Sequence, residues 1–343
     1  MAAIPRPDMP STDGALDQQC RRIAAWSIAL ERVTGTAGRE SEEILEMAEA
    51  LDAYFGWEPF GAAGEGPDQI AAAALACLKV AGTDDLDRAI QKLPVFPLAA
   101  QRALALILRD DWNGWELEGI IGSDQALAAH LLRAANSWTH ATLQPIATIS
   151  HAVTHIGSDR ASRIVYAAAV QPMFSTPTLR DLWHHSVASA EVAQGLAEAS
   201  ESIDPKQAFL AGLVHDIGVL AMTAFPPLFQ DLFRRLRSLG CEPILAERAL
   251  AGVSHAQAGA RALKLWSFPA EFVEAVEFHH APERSEGKLA SLLYLTEQWT
   301  DSCEDAPSVV RFRSALKRVG LSEQQFEQVT PADERMLSGL SEL

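Results

Sequence analysis

Positive charge is in short supply: 28 Lys and Arg face 45 Asp and Glu, a formal net charge of -17 with His neutral. A surface of that sign repels phosphate backbones, and no Lys/Arg cluster forms a basic stripe, which argues against direct nucleic-acid binding. Cysteine is equally sparse. Cys20, Cys77, Cys241 and Cys303 lie far apart with no C-x-x-C pair, a pattern that excludes a small disulfide framework and fits reduced thiols in a cytosol. No apolar run approaches the roughly 18 residues of a membrane helix; stretches such as Ile70 to Leu78 fall short. The opening MAAIPRPDMPSTDGALD has neither a basic-then-apolar leader nor an Arg-rich amphipathic character, so no export signal is expected. The expectation is a soluble, cytoplasmic protein without membrane contact. Alternating β-branched runs bounded by turns are missing too, as are fixed-period repeats, low-complexity tracts, a Walker sequence and a G-x-G-x-x-G after a strand. Gly61-Ala-Ala-Gly64-Glu-Gly66 lacks both a preceding strand and a following Lys-Ser/Thr, and reads as a linker rather than a phosphate loop.

What is present is helical. Hydrophobic residues make up 48% and charged residues 21% of 343 residues, values of an ordinary globular chain with about two domains or one large one. Apolar residues recur at helical spacing almost throughout, and Ala, the best helix former, is abundant. Start signals stand at Thr176-Pro177, Asp204-Pro205 and Ser322 with Gln325, and stop signals at Gly157, Gly240 and Gly320. The expected organisation is a flexible tail at 1–14, an N-terminal helical region at 15–82 with helices near 16–34 and 39–55, a main domain at 86–300 and a C-terminal helical extension at 301–343. The interval Gln171 to Thr178 divides the main domain into sub-bundles at 86–174 and 175–300.

Six of ten histidines fall between 184 and 280: His184, His185, His215, His255, His279 and His280. His215 is followed by Asp216 in the helix expected from Asp204, which reads AFLAGLVHDIGVLAM. Neighbouring helical positions point about 100° apart, so an imidazole and a carboxylate can both reach a metal lying between them. That mixed ligand set suits Fe, Mn, Zn or Co. Taken alone, the two residues serve equally well as a hydrogen-bonded polar pair, since a buried Asp must be paired, protonated or coordinated. A His thirty residues upstream, another forty downstream and an adjacent pair further on add the number of ligands that helical bundles bring to one cavity.

The order His185-Ser186, His215-Asp216-Ile217-Gly218, His255 with Gly259, and His279-His280 resembles the HD superfamily of metal-dependent phosphohydrolases. Within it the chain most resembles the HDOD domain, an HD-related output domain of bacterial signalling proteins. The resemblance runs over about residues 86 to 300. It includes Leu93-Pro94-Val95-Phe96-Pro97, Ser123-Asp124-Gln125-Ala126-Leu127, Leu131-Leu132-Arg133-Ala134-Ala135-Asn136-Ser137, Ile149 to Val153 with Ile156-Gly157, Ala208 to Leu213, and Leu265-Trp266 with Pro269. It implies an all-α, multi-helix HDOD fold with a C-terminal HD-like bundle and a small N-terminal helical region. Residues 15–82 are read either as a decayed HD-like fragment or as a helical extension.

The resemblance also implies a ligand set: His185, His215, Asp216, His255, His279 and His280, with His184 a weaker alternative to His185 and Glu297 where a final Asp is expected. One or two divalent transition-metal ions, and no organic cofactor, follow from that set. If the chain is active, Asp216 and a metal-bound water are the catalytic groups. Two departures separate it from the HD-GYP phosphodiesterases: Val219 stands where they carry Lys, and Ala281-Pro282-Glu283-Arg284 follows the His pair with no Gly-Tyr-Pro. The first functional expectation is therefore a signal-transduction module that is catalytically silent, binds metal and acts through a signalling protein partner. The alternative is a metal-dependent phosphohydrolase acting on a nucleotide, cyclic dinucleotide or other phosphodiester, and a third possibility is nucleotide sensing without hydrolysis. Asn136-Ser137 reads as a helix end with Asn capping backbone carbonyls, and Trp183, Trp266 and Trp299 read as core aromatics. His130, His140, His151 and His155 read as ordinary residues.

Overall fold

A computed structural model of the chain describes residues 81–94, 96–109, 111–138, 145–174, 176, 179–238, 243–300 and 309–329. The expected tail at 1–14, the helices near 16–34 and 39–55, the Gly61–Gly66 linker, the four cysteines, Val95, His140, Pro177 and Gly240 lie outside them.

All regular structure among the described residues is helical, so the chain is all-α, as its periodicity requires. In order the helices are α1 (Thr83–Lys92), α2 (Leu98–Ile107), α3 (Gly114–Ile121), α4 (Gln125–Trp138), α5 (Ile149–Ile156), α6 (Ser158–Val170), α7 (Arg180–Ser200), α8 (Pro205–Val214), α9 (Ile217–Thr223), α10 (Pro227–Ser238), α11 (Pro243–Ala251), α12 (His255–Leu265), α13 (Ala270–Phe278), α14 (Lys288–Thr300), α15 (Val309–Val319) and α16 (Glu323–Glu327). Short 3-10 turns occupy Gln171–Phe174 and Pro282–Arg284. No helix among the described residues is long and apolar enough to cross a membrane.

The local signals explain the boundaries. Asp204 caps α8 by accepting from the Lys206 amide at 2.9 Å, with Pro205 in the first turn where a missing N–H costs nothing. Ser322 and Gln325 form a reciprocal capping box on α16. Gly157 and Gly320 both adopt φ 86°, the left-handed region that favours glycine. Asp124 accepts from the Ala126 and Leu127 amides, both at 3.1 Å, at the start of α4. At the other end of α4 the Asn136 amide bridges the chain: its nitrogen donates to the Leu132 and Ile146 carbonyls, and its oxygen accepts from the Ile146 amide at 2.8 Å. It thus satisfies backbone groups at a helix end, as the sequence suggested.

The chain divides into two compact units, residues 1–91 with 222–255, and residues 92–221 with 256–343. In the first, the Ala81 amide donates to the Leu250 carbonyl on α11, and Phe225 meets Phe229 edge-on at 4.9 Å. In the second, a continuous apolar core runs from Phe96 to Val329. Phe96 stacks on Trp266 at 5.9 Å and touches Phe268 at 5.4 Å, while Trp183 packs on Phe174 at 5.4 Å. Trp183 and Trp266 are buried and Trp299 is packed against the same core, so the tryptophans are core aromatics. Each such burial is worth about 1.5–3 kcal/mol before the entropy of ordering is subtracted.

Within that second unit, α2 to α6 form one helical layer, and α7, α8, α13, α14 and α15 the other. Helix α7 lies against α8 and α14, and α14 against α13 and α15. The approach of α7 to α8 is set by Gly212, where a Cβ would stand 2.6 Å from the Ser189 carbonyl oxygen and 2.8 Å from the Ala190 Cα. Only hydrogen fits there, and the closeness brings His185 on α7 to His215 at the end of α8.

Candidate metal centre

The run through His215-Asp216 is not one helix. Helix α8 ends at Val214, a two-residue turn holds His215 and Asp216, and α9 begins at Ile217. At this turn the Gly212 carbonyl accepts from the His215 ring at 2.7 Å, and the Val219 amide closes a three-residue loop on the Asp216 carbonyl at 2.9 Å. A carbonyl can only accept, so Nδ1 of His215 carries a proton and Nε2 faces the cluster. His279, capping α13, is held the same way, Nδ1 donating to the Val276 carbonyl at 2.7 Å.

Four donor atoms from His185, His215, Asp216 and Glu297 lie within 4.8 Å of one another. His185 Nε2 is 3.3 Å from His215 Nε2, 3.4 Å from Glu297 Oε1 and 3.5 Å from Asp216 Oδ2. His215 Nε2 is 3.5 Å from Asp216 Oδ2 and 2.6 Å from Glu297 Oε1. Donors about 2.1 Å from a common ion, at angles of about 90–110°, stand about 3.0–3.4 Å apart. Two of the five separations fall in that range, two lie at 3.5 Å just above it, and the fifth is a direct ion-pair contact. The set is mixed nitrogen and oxygen, suited to a divalent ion such as Zn, Mn, Fe or Co.

Electrostatics point the same way. Burial opposes protonation of His215, but the carboxylates of Asp216 and Glu297 outweigh it and raise the imidazole to about 9. Burial alone would raise Glu297, yet the His215 charge and bonds from both imidazoles hold it well below the usual carboxylate range. His185 is likewise raised, its burial overcome chiefly by the bond to Glu297. The buried Glu297 and the half-buried Asp216 need positive charge beside them. A proton on His215 supplies part of it, and a bound divalent ion would supply all of it.

The cluster has a closed side and an open one. His215 and Glu297 side chains are 1% and 9% exposed, against 25% for His185 and 15% for Asp216. Asp216 also looks two ways: Oδ2 faces the four-residue cluster, while Oδ1 is 3.8 Å from His279 Nε2. The His279 ring meets that of His215 edge-on at 5.4 Å, and His280 lies against His279 at 4.1 Å.

His255 belongs to the other unit. There Glu247 accepts from both its backbone N–H, at 2.8 Å, and its ring Nδ1, at 2.9 Å. A carboxylate on Nδ1 fixes the ring's tautomer and orientation, the arrangement common behind metal-bound histidines. His184, the weaker alternative to His185, is exposed. Glu247 and Ser189, whose hydroxyl is 3.4 Å from His185 Nε2, were not among the expected residues. Nothing in the stretch PILAERALA marks Glu247 before the fold sets it against His255. Ser189 lies one turn after His185 on the same helix.

Comparison with known proteins follows from this geometry. The sequence model described as the HDOD domain matches residues 93–282. A protein from Shewanella amazonensis SB2B, provisionally named a phosphohydrolase, is 25% identical, with 75% of this chain and 92% of that one covered and a TM-score of 0.56. An HDOD domain protein of unknown function from Geobacter sulfurreducens is 23% identical, with 75% and 96% covered and a TM-score of 0.59. A protein from Marinobacter aquaeolei VT8, provisionally named for signal transduction, is 23% identical, with 91% and 86% covered and a TM-score of 0.57. The last two likenesses show the fold. No protein of curated function matches the chain. With more than half its length matched by that one sequence model and its helical fold shared with these structures, the chain belongs to the HDOD domain family.

Proposed function

We propose that the chain is a metal-dependent phosphohydrolase of the HD type, acting on a nucleotide, cyclic dinucleotide or other phosphodiester within a signalling protein. One observation carries this reading: His185, His215, Asp216 and Glu297, drawn from three separate stretches of chain, offer donor atoms that all lie within 4.8 Å of one another, as ligands of one ion do. A purely structural core has no use for that arrangement, since replacing such polar clusters by apolar residues is commonly neutral or stabilising. The Shewanella protein's name accords with it.

A bound divalent ion would supply Lewis acidity toward a phosphoryl oxygen and lower the pKa of water. The chain's own residues do the rest. Gly212 and Val276 carbonyls lock the tautomers of His215 and His279, so each keeps Nε2 free of a proton when the site is loaded. Glu297, buried at the rear, holds negative charge against His215. His185 and Asp216 form the solvent-facing edge, and a phosphodiester reaches the centre past them. Asp216, with one oxygen on each side, is placed to accept a proton from water attacking phosphorus.

The second reading, a catalytically silent module acting through a signalling protein partner, is favoured by Val219. This half-buried residue follows Gly218 where a cation for the phosphate is expected. Assaying the Mn- or Zn-loaded protein on a generic phosphodiester, with Asp216→Asn as control, separates the two. Turnover that disappears in a folded Asp216→Asn protein supports hydrolysis; equal background rates in both proteins favour the silent module.

A further inference from the structure

Helix α15 lies beyond the matched residues 93–282, yet its Arg318 reaches back to the loop that follows the His pair. The guanidinium donates to four backbone carbonyls: Pro282 at 2.8 Å, Ser285, Glu286 at 3.1 Å and Gly287 at 3.5 Å. From the other side Glu274, on α13, accepts from the Ser285 hydroxyl at 2.7 Å and the Glu286 amide at 2.8 Å. A cation therefore takes the loop's acceptors while an anion takes its donors. The loop's own Ser285 hydroxyl also accepts from the Gly287 amide at 3.1 Å.

This loop is the hinge between two parts of the centre. It begins two residues after His280 and ends at α14, whose ninth-residue step reaches Glu297. At about 1.5 Å per residue Glu297 lies about 14 Å along the helix from the loop, so Arg318 acts on it through the backbone carbonyls it holds. The far end of the C-terminal segment is anchored to α7, the helix of His185. Ser202, just past that helix, donates to the Val319 carbonyl at 2.6 Å, and Gln325 donates to the Ala199 carbonyl at 3.3 Å. These two bonds are neutral, whereas those of Arg318 and Glu274 to the loop are charge-assisted, stronger and fix its orientation.

We propose that Arg318 and Glu274 are positioning residues of the metal centre. Through the 282–287 loop they set His279 and Glu297 in register, making the C-terminal segment a working part of the site. This rests on the metal reading above. The consequence is that a piece of chain outside the family's matched span tunes ion affinity, because supporting contacts behind ligands typically change it by about 10–100-fold.

The test uses the full chain with Arg318→Met, Arg318→Lys and Glu274→Gln, checked for folding by circular dichroism. Zn affinity is measured by chelator competition, and the Co form is read by its visible absorption bands. Arg318→Met is expected to weaken Zn binding about 10–100-fold and shift the Co bands, with Arg318→Lys restoring part of both. Unchanged affinity and bands in a folded Arg318→Met protein overturn the proposal. If Arg318→Met does not fold, Glu274→Gln decides by the same two readouts. If the wild-type protein binds neither ion, the metal reading fails, and the clamp is judged on ion-free protein by the ring Nδ1–H signal of His279. Its loss in Arg318→Met upholds the positioning role and its persistence refutes it.

Discussion

Replacing Gly212 by Ala probes the helix contact on which the cluster depends. An added Cβ meets the Ser189 carbonyl oxygen at 2.6 Å, the Ser189 carbonyl carbon at 2.9 Å and the Ala190 Cα at 2.8 Å. All three are backbone atoms, so no side chain can swing aside. Ordinary contact begins near 3.4 Å, so α7 and α8 must part by about 0.8 Å, the difference between 3.4 and 2.6. Overpacking of this kind costs about 1–3 kcal/mol, and the better helix propensity of Ala returns up to about 1 kcal/mol. A net loss of about 1–2 kcal/mol corresponds to about 2–8 °C in a unit of this size. The same separation moves His185 from His215, now 3.3 Å apart between Nε2 atoms, to as much as about 4.1 Å, outside the about 3.0–3.4 Å between neighbouring ligands of one ion. Thermal unfolding and Zn competition should both show the loss. Gly119 on the exposed face of α3 meets nothing within 4 Å, so Gly119→Ala should instead stabilise by about 0.5–1 kcal/mol. Wild-type stability and Zn affinity in Gly212→Ala would refute the claim that this close approach builds the site.

Glu247→Ala leaves the buried amide and ring N–H of His255 without their acceptor and should cost about 2–4 kcal/mol in chemical denaturation, with Glu247→Gln closer to wild type. Asn136→Ala removes three bonds to backbone groups at the end of α4 and should cost about 1–3 kcal/mol by the same measurement. Glu274 is depressed below its usual value, first by the Ser285 hydroxyl and then by the Glu286 amide. Its folded value lies below the unfolded one, so its stabilisation is complete above the unfolded carboxylate range and is lost as pH falls through the lowered folded value. Glu274→Gln should therefore flatten the acid limb of a stability–pH profile and leave its neutral-to-alkaline part unchanged in slope.

Much of this was legible because it is local. Caps at Asp204 and Ser322, and glycines at Gly157 and Gly320, depend on side chains a few residues from the backbone they serve, and such spacing is written in the sequence. The histidine intervals likewise announced a multi-helix cluster, and Glu297 stands in it despite its extra methylene. What stayed hidden arises from the chain returning on itself. The break between α8 and α9 falls inside an uninterrupted helical pattern, where the His215 ring bonds a backbone carbonyl. Glu247 is an ordinary Glu until the turn after α11 brings His255 back to it. Arg318 is one of several basic residues on α15, and only the fold shows that it faces the carbonyls of a loop 31–36 residues earlier.

The most direct measurement is metal content by mass spectrometry on tag-free full-length protein, beside Asp216→Ala and Glu297→Gln proteins shown to be folded. About one or two transition-metal ions per wild-type chain are expected, with binding abolished in Asp216→Ala and weakened in Glu297→Gln. A wild-type protein that stays metal-free after reconstitution with Zn, Mn, Fe and Co would contradict this, and would leave the cluster a proton-bridged polar core.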